Sequence, residues 1–190
     1  MPTPPRTSLD AIVREARHIL EAEGLEGLTM RRVAEGVGVR APSLYKHVRD
    51  RGELIRLVAN DAVSELGRRL ASAATSGDPR RDMASMAQAH RSFAHELPET
   101  YRLLWSRVPE AWRADPEVNI SAAAPVLDTV SRLTGRTGTL EAARTFTAWA
   151  HGFVSMELAG AFRIAGDVDA AFDYGIERLT DAIASGPGPA

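Results

Sequence analysis

Apolar residues recur along this chain at helical spacing. Leu9, Ile12, Val13, Ala16, Ile19 and Leu20 follow Thr7 or Ser8 as a cap, and Gly24 comes after the last turn, so the pattern predicts an amphipathic helix over residues 8–23. Two short helices are predicted next. Thr29 is an N-cap candidate ahead of Val33, Ala34 and Val37; Gly36 and Gly38 permit a sharp turn; a further helix opens near Arg40. Asp50 with Glu53 three residues on is a capping-box pattern, and Leu54, Ile55, Val58, Ala62, Leu66 and Leu70 trace a long fourth helix.

Residues 73–77 break the pattern, and Asp78-Pro79 restarts it as an N-cap and N1 pair, with a helix to about His95. A short helix starts at Pro98. Another starts at Pro116 behind Asp115 and stops at Gly135; Pro125 inside it cannot donate to the Ser121 carbonyl, which predicts a kink or a break. The longest helix is expected from about Leu140 to Ala165, ~40 Å at 1.5 Å per residue, stopped by Gly166. A last helix follows Asp167 with Phe172, Ile176, Leu179 and Ile183 on one face, and the final SGPGPA is expected to be disordered. With no strict alternation and no Asn-Gly or Asp-Gly hairpin signal, the fold class is all-α. The expected organisation is a helix-turn-helix domain with its tail over residues 1–50, a connecting helix and linker over 51–77, a second helical domain over 78–184 and a tail over 185–190.

Two helices set steeply around a glycine turn make a DNA-reading device, because the N-terminal residues of the second can enter the major groove. Charge supports this. The whole chain carries only -2, yet seven basic residues between Arg31 and Arg56 face three acidic ones, leaving this segment at +4 and the remainder at -6. The protein's only lysine, Lys46, lies in it. The absence of cysteine excludes disulfides and thiolate metal sites. No apolar leader opens the chain and no uncharged stretch approaches the ~20 residues of a membrane span, so a cytoplasmic protein is expected. No metal-ligand spacing and no catalytic motif appears, which leaves a small helical enzyme as the weakest reading.

The segment 8–56, and above all Pro42-Ser43-Leu44-Tyr45-Lys46-His47-Val48 followed by Glu53-Leu54, resembles the DNA-binding domain of tetracycline-repressor-like (TetR-family) transcriptional regulators. Pro98-Glu99-Thr100-Tyr101-Arg102-Leu103-Leu104-Trp105 and Trp149-Ala150-His151-Gly152-Phe153 resemble the subgroup whose second domain carries a Trp-x-His-Gly motif. The resemblance implies a homodimeric regulator, most simply a repressor, on a palindromic double-stranded operator, with a small-molecule effector and no cofactor. It places Arg31, Arg40, Ala41, Pro42, Ser43 and Lys46 within reach of base edges, and Thr29, Tyr45, His47 and Arg51 on phosphates. Arg40 departs from the family, which commonly has a serine or threonine cap there; it reads a base, clamps a phosphate or is idle. Tyr45 and His47 have an alternative role as interior locks. Leu44 and Val48 are core.

In the second domain Met83, Met86, Ala87, His90, Ala94 and Leu97 form an apolar stripe holding one histidine. A lone histidine there is more often core than ligand contact, but the methionines beside it suit an adaptable wall. An effector pocket is expected from Met83, Met86, His90, Phe93, Trp105, Trp149, Phe153 and Met156, fitting an apolar, aromatic small molecule. The helix bearing Trp149 is apolar nearly all round, so another of its faces, with the last helix, is expected to meet a second copy. A second domain that only dimerises or binds protein is the alternative.

Overall fold

A computed structural model of the chain describes residues 8–135 and 138–186. They form α1 (Leu9–Gly27), α2 (Met30–Gly36), α3 (Ala41–Leu44), α4 (Arg51–Ala73), α5 (Pro79–Glu96), α6 (Pro98–Trp105), a single 3-10 turn over Glu110–Trp112, α7 (Pro116–Thr134), α8 (Thr139–Leu158) and α9 (Val168–Ala184). No strand occurs among the described residues, so the all-helical expectation holds.

The chain divides into two compact units. Of the described residues, the first takes 8–65 and 97–119 and the second 66–96, 120–135 and 138–186, so α4 is shared and α6 joins the amino-terminal unit instead of the second domain in which the sequence pattern placed it. The core of the first unit holds Ile12, Ile19 and Leu20 of α1, Val33 of α2, Leu44 of α3, Leu54, Ile55 and Val58 of α4, and Leu103 of α6. Its helix starts follow the caps read in the sequence. Ser8 accepts from the Ala11 amide at 3.1 Å, Thr29 from Arg32 at 3.3 Å, and Asp50 from Glu53 at 2.8 Å. Glu53 reaches back to the Arg49 amide at 2.6 Å, one residue ahead of the usual box partner. Gly24, at φ 70, ψ -178, breaks the helical backbone where the sequence pattern ends the first helix, and one further turn to Gly27 follows across this kink.

α6 lacks a capping side chain of its own. Glu21 of α1 supplies one, its carboxylate accepting from the Thr100 amide at 2.5 Å and the Glu99 amide at 3.3 Å. This satisfies two of the donors a helix start leaves open and ties α6 to α1.

In the second unit α5 packs on α8 and α9, and α8 on α9. Asp78 caps α5 through the Arg80 amide at 3.0 Å. The buried Asp82 carboxylate accepts from the Ser76 amide and hydroxyl at 2.8 and 2.7 Å and from Arg132 at 3.2 Å, and these bonds, Ser76's first, hold its pKa below the ordinary carboxylate value. Asp167 caps α9 through Asp169 and Ala170.

Two expectations fail here. α8 stops at Leu158, so α4, with 23 residues, is the longest helix. Gly160 at φ 63 closes α8, the Ala161 amide donating to Met156 and the Gly160 amide to Glu157, both at 2.9 Å, which is a Schellman ending. α7 runs unbroken through Pro125; the carbonyl left without a donor belongs to Ser121, which is exposed to water. The expected disordered tail lies, from residue 187 on, outside the described residues.

Candidate DNA-reading surface

α2 and α3 are joined by a turn that needs Gly38. The Val37 amide donates to Val33 at 3.0 Å and the Val39 amide to Ala34 at 2.9 Å around Gly38 at φ 71. At Gly36 a β-carbon would lie 2.0 Å from the Glu15 carboxylate of α1, so the end of α2 closes down on α1.

Arg40 takes the N-cap position of α3 in extended conformation and makes no side-chain cap. α3 itself is one turn, prolonged by His47 and Val48 amides donating to the Leu44 carbonyl at 2.8 and 2.9 Å. Leu44 and Val48 are buried and anchor this segment. Around them Arg40, Pro42, Tyr45, Lys46 and His47 are exposed, and Ala41 and Ser43 half-buried. Tyr45 is 54% exposed, which removes the reading in which it locks the interior.

The seven cations are not equivalent. Arg32 is bound by Glu23 and Glu35, Glu23 raising its pKa the most. Arg56 holds Asp115 at 2.8 Å, and Asn60 and Arg56 together keep Asp115 below the ordinary carboxylate value. Arg49 stands 3.7 Å from Asp50, and Arg31 3.8 Å from Glu35, both pairs largely in solvent. Arg51, expected on a phosphate, serves the fold: it donates to the carbonyls of Leu28 at 2.7 Å and Leu25 at 2.5 Å, and its guanidinium lies 5.2 Å from the Trp112 ring centre. Among the described residues Arg40 and Lys46 enter no ion pair. A one-turn helix seated on Leu44 and edged by Arg40 and Lys46 can present donors to guanine O6 and N7 while Tyr45 and His47 flank it.

The residues expected around an effector are divided between the two units. Trp105 belongs to the first unit. Met83, Met86 and Phe93 have no accessible surface and His90 has 5%; burial first, then the neighbouring His151, lowers the His90 pKa to about 4, so it is a neutral core residue at pH 7. Trp149 and Phe153, half-buried, pack on Phe172 at 5.2 and 5.1 Å between ring centres, and Phe153 on Phe162 at 4.8 Å. Met156 is 50% exposed.

The sequence reading missed Glu21 as the cap of α6, and Trp112 as the ring beneath Arg51. Each acts across a long sequence separation, which no periodicity records.

Comparison with known proteins places this geometry. Residues 6–58 match the family described as bacterial regulatory proteins, tetR family, and residues 83–179 match the tetracyclin repressor-like C-terminal domain. An HTH-type transcriptional regulator of Mycobacterium tuberculosis is 34% identical over 186 residues, covering 93% of this chain and 81% of that protein. The class E tetracycline repressor of Escherichia coli is 41% identical over 54 residues, 28% of this chain and 26% of the repressor. Two solved structures share the fold. A Rhodococcus protein superposes with a TM-score of 0.82 at 22% identity, covering 96% of this chain and all of that one. A TetR variant of Acinetobacter baumannii in complex with minocycline gives 0.68 at 20% identity over 94% of this chain and 97% of that one. A cationic helix-turn-helix matched over its whole length, and a second half matched to the same family, leave one assignment: the chain belongs to the tetR family of bacterial regulatory proteins, as a DNA-binding transcriptional regulator and not an enzyme.

Proposed function

We propose that this regulator is a homodimeric, cytoplasmic repressor that binds a palindromic operator and is released by a small apolar or aromatic molecule. The observation carrying the DNA half is the exposure of Arg40 and Lys46 on a segment fixed by the buried Leu44 and Val48. Arg31, Arg40, Ala41, Pro42, Ser43 and Lys46 address base edges. Tyr45 and His47 address phosphates, and Thr29 adds its hydroxyl proton, its oxygen being engaged as the α2 cap. A two-fold axis sets two such segments one or more helical turns apart, ~34 Å per turn. α8 and α9 are the proposed dimer helices.

For the effector we favour the aromatic cluster of the second unit, Trp149 and Phe153 with the exposed Met156 on the same helix, together with the buried Met83, Met86, His90 and Phe93 of α5. The class E tetracycline repressor and the minocycline complex are named for aromatic polycyclic ligands, which supports the ligand class. The complete burial of those two methionines and Phe93 supports a second reading, in which this unit only dimerises or binds protein. Selection from a random duplex pool tests the proposal: enrichment of an inverted repeat is expected, and recovery of no sequence overturns it.

A further inference from the structure

The first unit contains a cavity of about 330 Å³, within the range of small-ligand sites. Its walls come from α4 (Ala59, Val63), the end of α6 (Leu104, Trp105) and the 3-10 turn with the residue after it (Trp112, Arg113). The walls combine these apolar and aromatic side chains with one cation and with the polar Ser106 and Asn119. Arg113 has an ion-pair partner in Glu110 at 3.4 Å, but Glu110 is 87% exposed and holds it weakly. The Asp115 carboxylate is already paired with Arg56 and accepts a hydrogen bond from Asn60. The lining therefore offers two indole rings and a guanidinium open to a better anion.

We propose that this cavity is a binding site for a planar aromatic carboxylate, its ring against Trp105 and Trp112 and its carboxylate on Arg113. The site is separate from the aromatic cluster of the second unit, none of whose residues line it. Its wall also bears on the reading segment. A β-carbon at Gly52 would lie 2.5 Å from Trp112 Nε1, and Arg51, stacked on the same ring, holds the carbonyls that end α1 and precede α2. A ligand that shifts Trp112 disturbs that clamp. This consequence rests on the DNA-binding reading; the site itself does not.

Equilibrium dialysis of the full chain against naphthoate and the uncharged naphthol tests the site. Saturable naphthoate binding is expected; Arg113→Ala should weaken it about fivefold or more while changing naphthol little, since only the charge-assisted bond is lost. Val63→Phe, which fills the cavity, should abolish binding of both. Failure of naphthoate to saturate, or equal affinity in the parent and Arg113→Ala, overturns the proposal. Arg113 is exposed and its replacement leaves the core intact, so that arm decides even if Val63→Phe does not fold. Loss of duplex binding in the parent chain would count against the repressor reading alone.

Discussion

Arg40 and Lys46 stand on either side of the buried Leu44, one before α3 and one after it, with no carboxylate bound to either among the described residues. If each reads a base, Arg40→Ala and Lys46→Ala should each cost on the order of 1 to 3 kcal/mol on the selected operator and relax preference at one base pair. Binding titrations on the operator and on single-base variants measure this; an equal loss on every sequence reassigns the residue to a phosphate. His90 makes a different kind of prediction. Its folded pKa, about 4, lies below the ordinary histidine value, so between these values the unfolded chain binds the extra proton. The stability this group contributes is therefore complete above the ordinary value and is lost as pH falls toward 4. Between pH 7 and pH 5 the loss should be about 2 kcal/mol, and His90→Leu should lack it. Urea midpoints at the two pH values check the point, and an identical pH dependence in both proteins would contradict it. At this scale the sequence showed which residues are cationic and where they lie. It did not show that Arg51 is spent on two carbonyls, because its partners are more than twenty residues away.

Between residues and the whole lie the helices, whose starts were legible because a cap acts over two or three residues. Thr29, Asp50, Asp78 and Asp167 all accept from amides just ahead of them. Ends were less legible. The apolar series of α8 continues through Ala161, Phe162 and Ile164, so periodicity carried the expected helix past Gly160, where the backbone turns left-handed. Gly160→Ala should therefore destabilise by about 1 to 2 kcal/mol, since a β-carbon is disfavoured at that φ even though nothing crowds the site. A thermal shift smaller than that of Gly152→Ala, inside the same helix and equally uncrowded, would contradict the argument. α6 teaches the complementary lesson. Pro98 announced its start, yet the acceptor for its first amides is Glu21, on another helix. Glu21→Ala should cost about 1 to 2 kcal/mol in the first unit, while Glu21→Gln, which keeps an acceptor oxygen, should recover part of it. Amide hydrogen exchange at Thr100 is the measurement; unchanged protection in Glu21→Ala would show that α6 does not depend on α1 for its cap.

For the molecule as a whole, charge is divided along the chain, +4 over residues 31–56 against -6 elsewhere, so attraction to DNA is confined to one segment. On duplex without an operator no base is read, and the affinity reflects the cations at the phosphate surface and the counterions they release. Lys46→Ala removes one such cation from each copy of the chain. A homodimer therefore loses two, and the slope of log affinity against log salt should become shallower by about 1.8; a monomer loses one, and the change should be about 0.9. The same titration thus examines DNA binding by Lys46 and the number of chains that bind together. A change near the larger value, with sedimentation of the free protein at twice its 20.5 kDa chain mass, supports two reading segments acting together. A change near the smaller value would mean that the chain meets DNA singly, and no change would remove Lys46 from the DNA surface altogether.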